Sequence, residues 1–388
     1  MTYDLSQAAA KSARNLFMNC GQCVPGDRVL LVHETEADGF YDPQLVHELK
    51  RAAQQLDLKV KTHGVRLYRT VRDPDAKLRA KMADADCTVF LARLGDQIRY
   101  RTQDACPSQI VCYALDRQMF ASAFAGTSYD GFGHLRTLIN AAVSNAKVIR
   151  VTCPLGTYFQ GTTPSFPPTG ADTTRKRFPI SIGAPIPAKT FAGYVVQSGF
   201  LTGTGSHYYV PYACGLTDLL TVRFDGNRIT GFTGTARDVE AAKAHYRFVS
   251  QSYDIDPYHV HSWHAGIHPG LRYTGFAGTS TERWSGGAFG NPRVLHIHTC
   301  GDYPPGEISL NVIDPTVVLD GVAVWQDGWL YPDRIAGGAA LLAEYPDMAQ
   351  LFANPEHDIG LARDGRLRLT DPGHNTVTPR SAPNLQNA

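Results

Sequence analysis

The sequence predicts an α/β domain with a parallel sheet over residues 1–160, then a β-rich α+β domain over 161–365 and a polar tail over 366–388. Three observations carry this reading. The chain has 388 residues, more than the ~100–200 usual for one core, so two domains are expected. Strand-like and helix-like runs alternate up to Gly156, the pattern of a parallel sheet covered by helices. Beyond it, short β-rich runs are separated by turn residues, the pattern of antiparallel sheet.

Element by element, Pro25-Gly26-Asp27 forms a turn into a strand over 28–33, and Pro43 opens a helix to about residue 56. A strand over 59–65, a helix over 75–82 and a strand over 87–91 follow. Residues 110–113 and 148–151 supply two more strands, the second preceded by an Ala-rich helix over 135–145. The alternation expects 29–32, 88–91 and 148–151 to share one sheet. No GxGxxG or GxxxxGK(S/T) follows any of these strands, so no nucleotide site is advertised, and Gly131-Phe132-Gly133 reads as a loop.

From Gly156 to Pro187 the chain is rich in Gly, Pro, Thr and Ser, as in a connecting region or an active-site loop. Short strands follow over 194–197 and 220–224, and Asp225-Gly226-Asn227 marks a hairpin into the next. A helix over 239–251 and a strand pair around Asp320-Gly321 complete the second domain. From about Arg366 the chain turns polar and a frayed tail is expected.

Composition narrows the function classes. Apolar residues make up 43% and charged residues 19%, enough to build cores. The net charge of +1 provides no global field for nucleic acid or an anionic membrane, so a small, roughly neutral molecule is the expected partner. The N-terminus lacks a signal-peptide pattern, and no run approaches the ~18 apolar residues of a membrane span, so a soluble cytoplasmic protein is expected. Among eight cysteines only Cys20 and Cys23 are closely spaced, and they read as ordinary thiols at the end of a helix.

Histidine placement is the main chemical signal. Six of the 14 histidines, His259, His261, His264, His268, His296 and His298, fall within forty residues. Imidazoles that converge serve metal binding or proton transfer. His296-Ile297-His298 sits in a β-rich run, where residues two apart share a face at about 6–7 Å. Cys300, Asp302 and Glu307 follow as further donors, although two rings hydrogen-bonded inside a β domain would leave the same trace. In the stretch 259–264, alternation places His259, His261 and Trp263 on one side and His264 on the other. HExxH and GxSxG are both absent, and Ser206-His207 are neighbours by chain position only. Tyr208, Tyr209 and Tyr212 suit either a pocket wall or a β core.

Four segments, VPGDRVL at 24–30, RVTCPLGT at 150–157, FDGNRITGFTG at 224–234 and DPTVVLDG at 314–321, resemble the superfamily that joins aminopeptidase T type metallo-aminopeptidases to 2,5-dihydroxypyridine dioxygenase. The resemblance spans most of residues 10–330. It implies an N-terminal α/β domain, a β-rich domain carrying metal ligands, and a homodimer. Carried over by position, the family's Glu segment falls at Trp263-His264-Ala265-Gly266, its His at His296, and its HxD pair at Ser309-Leu310-Asn311. Only His296 is unchanged, and residues 181–187 offer no peptidase Glu, which disfavours a two-metal peptidase. A rebuilt single-metal site of His264, His296 and His298 is expected. Glu307 or Asp302 would act as a ligand or as the acceptor that orients an imidazole, and His261, His268 and Glu307 as acid–base groups. The expected function is a metal-dependent enzyme acting on a small polar or aromatic ring compound, first an Fe(II) ring-opening dioxygenase. A Zn(II) hydrolase of aminopeptidase, amide or cyclic imide type comes second, and a metal-free histidine enzyme or ligand-binding protein third.

Overall fold

The computed structural model describes residues 5–35, 39–101, 108–163, 173–302 and 306–370, so most of the expected tail lies outside the described residues. Five parallel strands, β1 (Arg28–Glu34), β2 (Lys59–Val65), β3 (Cys87–Leu91), β4 (Ser108–Cys112) and β7 (Lys176–Phe178), form a sheet in the order β2-β1-β3-β4-β7. The continuous apolar run of β1 is buried on both faces. Leu30 and Val32 meet Leu78, Met82 and Phe90 on one side, and Val29 and Leu31 meet Leu45, Leu49 and Ala53 on the other. The covering helices begin where aspartates cap them: Asp42 accepts from Gln44 N ahead of Pro43–Gln55, and Asp75 from Leu78 N ahead of Ala76–Ala83.

An eight-stranded antiparallel sheet runs in the order β13-β12-β9-β6-β5-β17-β18-β19. Its strands are β5 (Ile149–Thr152), β6 (Tyr158–Gly161), β9 (Ala192–Gln197), β12 (Leu220–Asp225), β13 (Arg228–Thr233), β17 (Thr316–Leu319), β18 (Val322–Gln326) and β19 (Trp329–Leu330). A four-stranded antiparallel sheet, β16-β15-β14-β8, comprises β8 (Ile186–Pro187), β14 (Val260–Ala265), β15 (Val294–Thr299) and β16 (Ile308–Ile313). The short pair β10 (Phe200–Leu201) and β11 (Cys214–Gly215) stands apart. One face of the small sheet, with Trp263, Ile297 and Leu310, shares a core with Val151, Phe159 and Val222 of the large one. Trp263 meets Phe159 and Phe191 edge-on at 5.6 and 5.4 Å.

The fold class is the α/β-plus-β-rich arrangement expected from the sequence, with three local corrections. The stretch 156–187, expected as a connecting region or active-site loop, holds the strands β6, β7 and β8. Residues 149–152 pair antiparallel with β6 and β17 and do not join the parallel sheet, whose fifth strand is β7. The reason is visible in β5: exposed Arg150 separates buried Ile149 and Val151, the alternation of a strand wet on one face. Gly131-Phe132-Gly133 lies inside the helix Tyr129–Asn145 and is not a loop. Ser128 caps that helix, and a Cβ at Gly131 would stand 2.3 Å from Met348 Sδ, so the glycine lets a neighbouring helix approach. Cys20 and Cys23 are free and buried.

Arg93, 2% exposed, ties the two regions together. Its guanidinium meets Glu34 at the end of β1 at 2.7 Å and Glu282 of the helix Thr281–Ala288 at 2.8 Å, under the rings of Phe40 and Tyr208. Among the described residues no helix is long and apolar enough to cross a membrane.

Candidate metal centre

Strand register builds the site. In the small sheet His264 pairs with His296 and His296 with Asn311, while Ser262 pairs with His298 and His298 with Ser309. Directly opposed residues of antiparallel strands share a face, and the two-residue period keeps 262 with 264, 296 with 298, and 309 with 311. Six polar side chains therefore form a grid of two rows and three columns, all buried, on the face opposite Trp263, Ile297 and Leu310.

Three of the six are imidazoles whose ligating nitrogens all lie within 4.8 Å of one another. His264 Nε2 and His298 Nε2 are 3.1 Å apart, a separation compatible with two bonds of ~2 Å to one ion. His264 Nδ1 lies 3.2 Å from the carbonyl of Gly183, which assigns the proton to Nδ1 and leaves the Nε2 lone pair facing its neighbours. The Nδ1 atoms of His296 and His298 are buried without a hydrogen-bond partner. Burial first, then the neighbouring imidazoles and the cations Arg99 and Arg177, holds both rings well below the usual histidine range. They are neutral, the form that ligates. Phe289 stacks on His296 at 4.3 Å. Three buried imidazoles, two of them with an orphaned ring nitrogen, suit one divalent ion.

The imidazoles open onto a cleft whose other wall comes from the parallel domain. Asp96 and Arg99 follow β3, Tyr113 follows β4, and Arg177 lies on β7. Ligands of open α/β sheets bind outside the carboxyl ends of the strands, where these residues stand. Tyr113 Oη donates to Asp96 Oδ1 at 2.7 Å, and Arg99 lies 3.2 Å from the other carboxylate oxygen while donating to the carbonyls of Asp96, Thr204 and Gly205. Burial raises the Tyr113 phenol above its ordinary value, so it stays protonated.

The remaining expected residues lie elsewhere. Glu307 is buried against His207 at 3.1 Å, beneath Tyr253, and does not line the cleft; burial raises its carboxyl while His207 and Arg99 oppose this. Asp302 is exposed and acts electrostatically on His261. The carboxylate expected beside the imidazoles is therefore not there: among the described residues the ligand cluster holds histidines alone. Cys300 takes a left-handed φ of 64° just after β15, which ends the alternation that carries His296 and His298. His268 is sandwiched between Phe132, at 3.8 Å, and the edge of Phe124, accepts from Gly270 N, and is held at about 3 by burial. His261 occupies a bulge between Val260 and Ser262, so it leaves the alternation expected to align it with Trp263; its Nδ1 meets Ser262 Oγ at 2.8 Å. Neither His261 nor His268 lines the cleft. Ser309 Oγ donates to Asn311 Oδ1, and Asn311 Nδ2 to Thr202 Oγ1, so these two bond to each other and to the neighbouring loop.

No family profile matches the chain, and no curated protein sequence matches it. Among solved structures, 2,5-dihydroxypyridine dioxygenase from Pseudomonas putida superposes with a TM-score of 0.57 at 15% identity, over 85% of this chain and 99% of that one. This chain has that dioxygenase's fold. AmpT from Thermus thermophilus superposes with a TM-score of 0.43 at 9% identity, over 82% of this chain and 99% of that one. The likeness to the dioxygenase lies in the architecture, at an identity that transfers no residue roles.

Proposed function

We propose that this chain is a single-metal enzyme in which His264, His296 and His298 hold Fe(II), and that it opens the ring of a small polar or aromatic compound with dioxygen. The observation that carries the reading is the cluster of three buried imidazoles lining a cleft whose other wall comes from the parallel sheet. The fold shared with 2,5-dihydroxypyridine dioxygenase supports the choice of reaction. A divalent ion there would supply Lewis acidity and, as Fe(II), a site for dioxygen beside the substrate.

The chain's own residues do the rest. Gly183 holds the His264 tautomer and Phe289 fixes the His296 plane. Tyr113, its one O–H given to Asp96 and its oxygen 3.5 Å from Arg177, orders the polar wall of the cleft opposite the imidazoles. Burial of the imidazoles excludes bulk water from the reacting side.

The donor set itself favours a second reading. Three histidines with no carboxylate form a common catalytic zinc set, which makes water nucleophilic at neutral pH and would serve hydrolysis of an amide or cyclic imide. Metal analysis of protein isolated without a histidine tag, followed by oxygen-electrode measurements with dihydroxylated rings, separates the two. One equivalent of iron with oxygen uptake supports the dioxygenase, and one of zinc without uptake supports the hydrolase. Protein that neither retains nor takes up a divalent metal overturns both.

A further inference from the structure

A second histidine is set up for chemistry outside the metal centre. His207 and Glu307 meet where the loop after β10 reaches the start of β16. The loop is pinned there twice, by Thr204 Oγ1 donating to the Gly306 carbonyl at 2.9 Å and by Tyr209 Oη donating to the Glu307 carbonyl at 2.8 Å. His207 Nδ1 lies 3.1 Å from Glu307 Oε1, with the carboxylate side chain 1% exposed and the imidazole 19%. Nδ1 is buried against the carboxylate, so the exposed edge of the ring is the one that carries Nε2.

Among the described residues His207 is the one ion-pair partner of Glu307, and neither carboxylate oxygen makes an aligned hydrogen bond. Burial raises the Glu307 carboxyl, and the ring and backbone N–H of His207 oppose this, with Arg99 acting at longer range. A buried carboxylate so thinly held is costly as a structural element. Catalytic contacts, by contrast, are often poorly aligned at rest and tighten as the reaction proceeds. A carboxylate behind an imidazole keeps the ring proton on Nδ1 and turns the Nε2 lone pair outward, as in a histidine base or nucleophile. Ser206 does not complete a serine triad, because its fully buried hydroxyl faces Arg99 Nη2 at 3.4 Å. The imidazole itself is left as the reactive group. Tyr253 stacks on it at 4.0 Å, and both Tyr253 and the exposed Phe248 pack on Tyr209, which gives the ring an aromatic border. Such a border above a buried carboxylate suits an uncharged guest with an aryl or alkyl group.

We infer that His207, positioned by Glu307, is an acyl-accepting nucleophile for uncharged esters and works without the metal. Nε2 attacks the ester carbonyl and the alkoxide leaves as the C–O bond breaks. The Nδ1 proton passes to Glu307 and on to the alkoxide, which departs as the alcohol. Water then cleaves the acyl-imidazole, releasing the carboxylic acid and restoring the Nδ1 proton.

The test follows hydrolysis of p-nitrophenyl acetate and butyrate by chelator-treated protein at about pH 8, above the histidine range. Hydrolysis should saturate with substrate, and His207→Gln should lower it at least about ten-fold, while His134→Gln, a change at an exposed histidine elsewhere, leaves it unchanged. A second measurement maps acylation by diethyl pyrocarbonate with mass spectrometry. His207 should react at least about ten-fold faster than His134, and Glu307→Gln should remove that advantage while the far-UV spectrum persists. Hydrolysis lost on chelation, an undiminished rate in folded His207→Gln, or acylation of His207 no faster than of His134 overturns the inference. Metal binding is read separately by chelator competition, so the metal centre and this site fail independently.

Discussion

Acidification should destabilise this protein through its buried histidines, and His268 gives the cleanest measure. The ring is fully buried between Phe132 and Phe124 and is held at about 3, chiefly by burial. In the unfolded chain the same imidazole titrates near ~6.5. A histidine depressed in the folded state contributes nothing adverse above ~6.5; as pH falls from there towards about 3, the unfolded state takes up a proton that the folded state refuses. At about pH 5 this costs roughly 2 kcal/mol. His245, held at about 4 by burial, adds about the same. Against a typical stability of about 5–15 kcal/mol, a loss of about 4 kcal/mol from two side chains is large. The assay is urea unfolding followed by far-UV circular dichroism at about pH 7.5 and about pH 5, with chelator present, for the wild type and His268→Leu. The variant should lose about 2 kcal/mol less than the wild type between the two conditions. Carboxylates titrate lower and are common to both proteins, so they cancel. An identical pH dependence in the two proteins would refute the reasoning.

Other outcomes follow from the same geometry. His298→Ala should weaken divalent metal binding by more than ~100-fold in a chelator competition while the far-UV spectrum persists; unchanged affinity would remove His298 from the site. Arg93→Met should cost about 3–5 kcal/mol in urea unfolding, because Glu34 is left buried without the cation that Arg93 supplies, and adding Glu34→Gln should recover part of the loss. Gly266→Ala should cost about 1–3 kcal/mol, since a Cβ there would stand 2.1 Å from the rigid Asn291 carbonyl; melts within error of the wild type would contradict the close approach. Light scattering should give about twice the chain mass of 42.4 kDa, the dimer that the resemblance implies, and a monomer would refute it.

Much of the architecture was legible because local pattern and burial agree. β2 and β3 fall on the expected 59–65 and 87–91, and the Asp225-Gly226-Asn227 turn joins β12 to β13. β5 was misassigned to the parallel sheet because its place in a run of alternating elements outweighed Arg150, whose exposure marks the antiparallel sheet. In the site, the two-residue spacing of His296 and His298 placed them on one face, and His264 joins them through strand register. Glu307 and Asp302 were drawn in by nearness along the chain, which the turn at Cys300 makes a poor guide to nearness in space. Asp96, Arg99, Tyr113 and Arg177 gave no signal, since they stand in three separate segments and only the adjacency of β3, β4 and β7 assembles them. For Asp96, Arg99 and Tyr113, a position at or after the ends of expected parallel strands was the one clue on offer.

The grid on the small sheet makes the centre a matter of addresses. Each of its six positions is fixed by the backbone ladder, so a ligand can be exchanged without moving the others, much as a pegboard accepts a different peg in the same hole. Asn311 stands in the row of His264 and His296, and a change there to aspartate would place a carboxylate beside two imidazoles with no change of loop or fold. The same ladder sets a sharp limit: a register slip of one residue in β15 would send both of its imidazoles into the apolar core and bring Ile297 to the cleft. A centre built this way can change its metal by single substitutions yet cannot drift gradually, so its chemistry is expected to evolve in discrete steps.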